Sequence, residues 1–507
     1  MEIPGEPLQT KYPILYPALL AIGFLLRPDY PDNLTLLRIP GALMAAGFVV
    51  LSGLYLDRVL GGRRAWVFLA VSLAALSPEI LSLVRVIMSD LPHACISIAA
   101  LLCLDLGKGA TPREGRDRPR LAWAGLLIGA AMLTRSIGLT LAIAAPLTLL
   151  FRRRFADAAL VFGVAVLTAL PWWIWQIGAA TANGAMQTSP IEAYDLNYGL
   201  WLPSDPGQLW LVARQNFFRA IFGLTYFQFA APGQWATEAI ATPSWRTIAF
   251  HGVCYAAAAL MITGFFVSAR RRLQTIHVYA VLYGGAVIIW PFEPYRFLVA
   301  WTPFLIYFTL TGLRSLSSWL RFSGRTIHPR WLVEAPAGLL CALLFVWFIR
   351  EDARILASND DRFYILRTYY DRSDHAELTQ WLRDHTRDGD VLASNDTADL
   401  FLAVGRQVRD TTPGIDLVGL CCGADRRWRE FYALSGASEL RALVDRASPH
   451  LPGLFRGGDI AYYVQHGEGG TAAPMERLIG EKRTWFEPVF RTRHRAYRVF
   501  RVTVPPI

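Results

Sequence analysis

The chain has 507 residues, 53% of them hydrophobic, with 17 Trp and a mean hydropathy of +0.31. Soluble domains average about 45–50% apolar even with Gly counted. The excess here is concentrated before residue 350, which argues against a wholly soluble protein and for a polytopic membrane protein followed by a soluble part. The net charge of +10 sits largely in short loops between apolar spans, where it sets topology rather than recruiting nucleic acid.

The first twelve residues, MEIPGEPLQTKY, are polar and lack the basic region and apolar run of a cleavable signal. Tyr12 to Leu26 is apolar but short and interrupted by Pro13 and Pro17, which predicts an interfacial or partly inserted helix. Spanning stretches follow at roughly 34–56, 65–84, 91–107, 121–134, 137–151, 157–178, 246–268, 275–292, 296–313 and 331–349, about ten in all, by apolar length against bilayer thickness. Four of the six cysteines (Cys95, Cys103, Cys254, Cys341) fall in these stretches, and the other two, Cys421 and Cys422, are adjacent. Neighbours bridge each other poorly, and none of the six has metal-ligand spacing.

Alternate loops differ in charge. One set holds Arg58, Arg63 and Arg64; Lys108 to Arg120; Arg152, Arg153 and Arg154; Arg270, Arg271 and Arg272; and Arg314 to Arg330. The positive-inside rule makes that set cytoplasmic. The loops near 28, 85, 135, 200 and 293, and everything after residue 350, then face the other side. The expected division is a membrane domain over 1–350, with a long outside loop at 179–245, and an extracytoplasmic domain over 351–507.

The outside loop 179–245 is rich in Trp, Tyr, Phe and Gln. That composition suits sugar stacking or lipid contact, and equally one or two interfacial helices with no ligand. The stretch 290–308, WPFEPYRFLVAWTPFLIYF, sets Glu293, Tyr295 and Arg296 between proline turns. The two readings are phosphate recognition by a guanidinium fork and an interfacial anchor with a snorkelling Arg.

In the C-terminal part, Asp374–His385 reads as an amphipathic helix, 389–394 as a turn and strand, Glu439–Ala447 as a helix and 459–465 as a strand. Residues 489–502 read as a hairpin in which apolar and basic residues alternate. This is a small α/β domain with no nucleotide, protease or esterase motif. Asp388-Gly389-Asp390 reads as a turn rather than a metal site. Asn33 and Asn395 each begin a glycosylation sequon.

Ionisable residues at a membrane rim are functional candidates. On the outside face they include Lys11, Arg85, Asp90, His93, Arg135, Glu293 and Arg296. Asp90, in SDLPH, suits a helix cap as well as a site. Arg135, between two short apolar spans, needs an anion or carbonyl partner.

Five segments carry a resemblance. TKYPILYP at 10–17, LSPEILSLVRVIMSDLPH at 76–93, LTRSIGL at 133–139, LPWWIW at 170–175 and PYRFLVAWTPFL at 294–305 resemble, in order, the signature segments of bacterial GT-C membrane glycosyltransferases, the group that holds protein O-mannosyltransferases and aminoarabinose transferases. The resemblance implies a polytopic α-helical GT-C-like bundle with a small C-terminal α/β domain, in a bacterial inner membrane. It implies transfer of a sugar from a polyprenyl-phosphate donor to a glycan, lipid or protein acceptor on the non-cytoplasmic face. Lys11 would contact the donor phosphate, Arg135, Tyr295 and Arg296 would flank the lipid site, and Asp90 would be a supporting acid. A divalent cation is the candidate cofactor, with no ligand set identified. Against the family pattern the sequence starts after the first spanning helix and the first outside loop with its Asp, so the expectation is either a misplaced or truncated start or the loss of the main acid. The other readings are an inactive GT-C-like protein that binds lipid-linked glycan or scaffolds an assembly, and, more weakly, a transporter, since paired interrupted helices with mid-membrane acids are missing.

Overall fold

A computed structural model describes residues 12–30, 32–106, 118–184, scattered positions between 206 and 221, 245–290, 295–321, 329–357, 372–394, 397–411, 451–457, 460–466 and 473–505. The predicted helix at 439–447, most of the loop 179–245, Lys11, Glu293, Asn395, Cys421 and Cys422 lie outside them.

The membrane part is helical: α1 (Leu15–Leu26), α2 (Leu34–Arg58), α3 (Arg64–Ala75), α4 (Pro78–Arg85), α5 (Asp90–Asp105), α6 (Arg118–Thr134), α7 (Leu139–Phe151), α8 (Phe155–Gly184), α9 (Trp245–Arg271), α10 (Thr275–Ile289), α11 (Tyr295–Val299), α12 (Thr302–Arg321) and α13 (Pro329–Ala357). Among the described residues each predicted span is helical over most of its length, with two corrections. The stretch 65–84 is two helices bent by 43°, because Pro78 forces Ser77 out of the helical region, to ψ 120. The stretch 296–313 is broken after Val299. Three helical segments, Leu34–Arg58, Phe155–Ala179 and Gly252–Arg271, are long and apolar enough to cross a membrane alone, and the bent pair makes a fourth.

Small residues set the packing, as expected where lipid removes the hydrophobic drive between helices. Gly125 and Gly129 of α6 lie against α8, where a Cβ on Gly129 would come within 2.4 Å of Thr168. Gly264 of α9 and Gly312 of α12 bring two backbones together: a Cβ at either would fall 1.8 Å from a carbonyl oxygen of the other helix.

Helix α5 is tied at both ends. At its far end the buried Asp105 accepts from Tyr55 Oη at 2.7 Å, Thr275 N at 3.1 Å and Thr275 Oγ1 at 2.9 Å, and meets Arg152 Nη1 at 3.3 Å. It thereby caps the start of α10 and links α2, α5, α7 and α10. At its near end Asp90 meets Arg135. Arg135 and Arg152 bracket α7, so an ion pair joins α5 to α7 at each end. Sixteen residues rise about 24 Å, which sets the separation of the two acids.

The C-terminal domain contains α14 (Arg372–His385), β1 (Val391–Ser394), α15 (Thr397–Val404), β2 (Val408–Asp410), α16 (Leu451–Gly457), β3 (Ile460–His466), α17 (Ala473–Glu481), β4 (Phe486–Arg491) and β5 (Tyr497–Val502). The sheet order is β2-β1-β3-β5-β4; β1 runs parallel to β2 and β3, and β5 is antiparallel to β3 and β4. Asp388 pairs with Arg406 at 2.7 Å and Asp390 accepts from Arg387 N at 2.8 Å, so this stretch is the predicted turn. The domain core is continuous with the bundle: Tyr30, Leu37, Leu20, Phe24, Leu34 and Ile87 pack with Leu378, Leu382, Tyr462 and Tyr497. Arg383 Nη2 donates to Tyr30 O at 2.9 Å, and Arg85 donates to the carbonyl of Ile355. The loops near 28 and 85 and the C-terminal domain therefore share one side of the molecule. Asn33 is buried, with Nδ2 donating to Arg27 O at 2.9 Å, which closes that sequon to modification in the folded chain.

Within the domain, the buried Asp374 holds the β4–β5 turn. Burial pushes its carboxyl up, but hydrogen bonds from Thr492, Ala496 and His494 outweigh that and hold it below the usual carboxylate range. Such a group stabilises the fold fully above the unfolded value of about 3.9 and loses its contribution as pH falls through the depressed folded value. Asp374→Asn is expected to weaken the domain near neutral pH and to flatten its loss of stability below about pH 4. Hydrogen exchange of the 460–466 strand across acid pH checks this; an unchanged acid limb would remove Asp374 from the account.

Candidate functional site

Three predicted residues meet although they come from three separate loops. Asp90 is the first residue of α5. The N-cap position belongs to Ser89, which makes no side-chain capping bond, and Asp90 turns its carboxylate to arginines instead. Oδ2 lies 2.5 Å from Arg135 Nη1, and Oδ1 lies 3.5 Å from Arg296 Nε. Asp90 is 4% exposed, and the side chains of Arg135 and Arg296 are 14% and 29% exposed. Neither Asp90 Oδ2 nor Arg296 Nε is aligned for a hydrogen bond among the described residues. The contacts are charge contacts that leave directional donor capacity unused.

Each arginine is positioned by local structure. Arg135 sits in the break between α6 and α7 with extended backbone, φ −152 and ψ 140. The turn closes because Gly138 packs on the backbone of Ala131, where a Cβ would come within 2.7 Å. Arg296 rides on α11, whose Phe297 carbonyl accepts from Tyr283 Oη at 2.9 Å. Phe297 is near both arginines. The Cζ of Arg135 is 5.2 Å from its ring centroid and that of Arg296 is 5.4 Å, inside cation–π range. Arg135 Nη1 also reaches Ser89 Oγ at 3.4 Å, and Arg296 Nη1 reaches Met88 Sδ at 3.8 Å. The phenols of Tyr16 and Tyr283 lie in the field of Asp90.

Below this centre, one turn along α5, the buried His93 contacts Ala131 O at 3.2 Å, Tyr279 Oη at 3.3 Å and Ser97 Oγ at 3.4 Å. A cavity of about 10 Å³ lies beside it, lined by Ser97, Tyr283, Trp301 and Phe304 among others, with room for about one water molecule.

Two guanidiniums against one carboxylate leave one net positive charge, half-buried at the end of a bundle. That arrangement suits a single anion such as a phosphate, for which Arg supplies paired donors. The only described acid at the centre already faces two cations, so a divalent cation there would need ligands from outside the described residues. Among the described residues no three His, Cys, Asp or Glu side chains come together as a metal site. Of the other predicted residues, Tyr295 begins α11 but its side chain is outside the described residues, as is all of Lys11. Arg85 does not join Asp90; it ties α4 to α13.

Sequence reasoning missed Phe297 and Met88, which carry no charge to flag them. It also missed Glu79, fully buried in α4 with both carboxyl oxygens lacking a hydrogen-bond partner among the described residues. The signal for Glu79 was the acid inside LSPEIL, hidden by the apolar run around it.

Removing one partner of a buried ion pair costs about 3–5 kcal/mol because the other charge stays uncompensated. Asp90→Asn is expected to destabilise the chain by about that amount, and adding Arg135→Gln is expected to recover part of the loss. Thermal unfolding in detergent checks it; additive effects of the two changes would show that they do not interact.

No protein-family model and no curated protein matches the chain. Solved structures do. ArnT from Cupriavidus metallidurans bound to undecaprenyl phosphate superposes with a TM-score of 0.52 at 11% identity, over 97% of this chain and 88% of that one. The apo form of the same protein gives 0.51 at 12% identity over the same shares. The oligosaccharyltransferase of Archaeoglobus fulgidus, in complex with zinc and sulfate, gives 0.50 at 14% identity, over 90% of this chain and 59% of that one. At these identities the likeness is one of fold.

Proposed function

We propose that this chain, whose fold is that of the GT-C superfamily, is a membrane glycosyltransferase that takes a sugar from a polyprenyl-phosphate donor. The observation that carries the reading is the Asp90–Arg135–Arg296 centre with its one surplus positive charge. The undecaprenyl phosphate bound to the ArnT neighbour supports a donor of this class. The acceptor is a glycan, lipid or protein of the envelope. The ten helical stretches are spans of a bacterial inner membrane, and the C-terminal domain stands on the extracytoplasmic side with the charge centre.

In this reading Arg135 and Arg296 bind the donor phosphate at the rim while the polyprenyl tail stays in lipid. As the bond between the sugar and the phosphate oxygen breaks, negative charge grows on the leaving phosphate, and the two guanidiniums stabilise it. Phe297 offers its ring to both, and Asp90 holds them in place as their counter-ion. Lys11 and Tyr295 are the further expected donor contacts. An acceptor hydroxyl also needs a base within hydrogen-bond reach, and Asp90 becomes free for a supporting role only when the phosphate draws the arginines from it.

Membranes containing the full-length chain are expected to move radiolabel from a polyprenyl-phosphate-sugar into endogenous acceptor. Arg135→Ala and Arg296→Ala are each expected to lower transfer by about 10²–10³. Full transfer in both variants would overturn the site. Donor binding without transfer by the unaltered chain would favour the second reading, an inactive GT-C-like binder. The observation behind that reading is that the only described acid at the centre is committed to two arginines.

A further inference from the structure

We propose that the tip of the β4–β5 hairpin is a docking point for anionic lipid headgroups of the membrane surface beside it. The proposal is independent of the transferase reading.

The tip, Arg491-Thr492-Arg493-His494-Arg495, is built with unusual care. Arg495 N donates to Thr492 O at 3.0 Å, and Thr492 N donates to Tyr497 O at 3.1 Å. This is a tight turn followed by one residue in the left-handed region, the position where hairpins of this kind take Gly. Here that residue is Arg495, at φ 64. Beneath it the buried Asp374 receives the Thr492 hydroxyl at 2.5 Å, the amides of His494 at 3.0 Å and Ala496 at 2.9 Å, and the His494 ring at 3.0 Å. Glu377 takes the Arg493 amide at 3.0 Å. The acids facing the tip thus bond its backbone, Thr492 and His494, and the guanidiniums of Arg493 and Arg495 point outward, exposed. A solvated turn has no use for Arg where Gly is free of strain. Strain of this sort persists where the side chain is needed.

The position of the tip names the partner. The Tyr497 ring packs edge-on to His375 at 6.1 Å, and His375 packs on Tyr30 at 6.5 Å. Tyr30 sits at the corner between α1 and α2. Just before that corner Leu25 and Leu26 are 85% and 71% exposed, the lipid-facing end of α1. Ala496, next to Arg495, packs in the same cluster as Phe24 and Leu34. A braced pair of exposed arginines is therefore linked by two ring contacts, Tyr497 to His375 to Tyr30, to the point where the apolar surface stops. That is where phosphate headgroups lie, and basic residues near an anionic surface are attracted to it within a Debye length.

The test is hydrogen exchange of the 491–497 segment in the full chain, in nanodiscs of phosphatidylcholine alone or mixed equally with phosphatidylglycerol. Exchange is expected to slow roughly tenfold in the anionic discs. The slowing should vanish in Arg493→Glu/Arg495→Glu, while strands β1 and β3 keep unaltered exchange. Arg495→Gly separates charge from backbone: it is expected to raise the unfolding midpoint in detergent yet weaken the anionic-disc effect. Equal exchange in both discs, slowing that survives charge reversal, slowing by inorganic phosphate without lipid, or an Arg495→Gly variant no more stable than the parent would each overturn the proposal.

Discussion

The structure depends on two aspartate–arginine contacts at opposite ends of one short helix. Asp90 and Asp105 terminate α5, and Arg135 and Arg152 bracket α7. The two contacts differ in kind. Asp105 is saturated: a phenol, a hydroxyl, an amide and a guanidinium all meet it, and nothing remains for a ligand. Asp90 has one acid for two guanidiniums and imperfect alignment with both. The same pairing of residue types therefore makes a joint at one end and a receptive site at the other, and the count of partners decides which.

Everything around the near end maintains that imbalance. The break after α6 sets Arg135 in extended backbone, and the break after Val299 leaves α11 a short platform for Arg296 and Phe297. The Phe297 ring lies within cation–π range of both guanidiniums, which share the one carboxylate. Above them, Met88 and Ser89 belong to a loop whose Ile87 is packed under the C-terminal domain. The soluble domain thus bears on the loop that touches both arginines through Ile87, and on the α1–α2 corner through the bond from Arg383 to the Tyr30 carbonyl.

Much of this was legible from residues alone, for physical reasons. Apolar length located the helical stretches, and alternation located the hairpin at 489–502, whose first strand begins at Phe486. Rim charge flagged Asp90, Arg135 and Arg296 singly, because burying a charge in a bilayer demands a reason. Their meeting was not legible, since it depends on how α5, α6 and α11 pack. Neutral neighbours such as Phe297 carry no such flag, and the bend at Ser77–Pro78 was lost because hydropathy counts apolar content without regard to backbone. Glu79 and Asp105 were overlooked for the converse reason: each is a single acid in a run whose average is apolar.

The central claim is that the Asp90–Arg135–Arg296 centre binds a lipid through its phosphate. Its most direct test is equilibrium binding of undecaprenyl phosphate and of undecaprenol to the purified full-length chain. The two lipids share a tail and differ only in the anion. The account predicts that the phosphate form binds at least about tenfold more tightly, with the preference falling as salt rises and disappearing when Arg135 and Arg296 are both replaced by Ala. Equal affinity for the two lipids in the unaltered chain would contradict it.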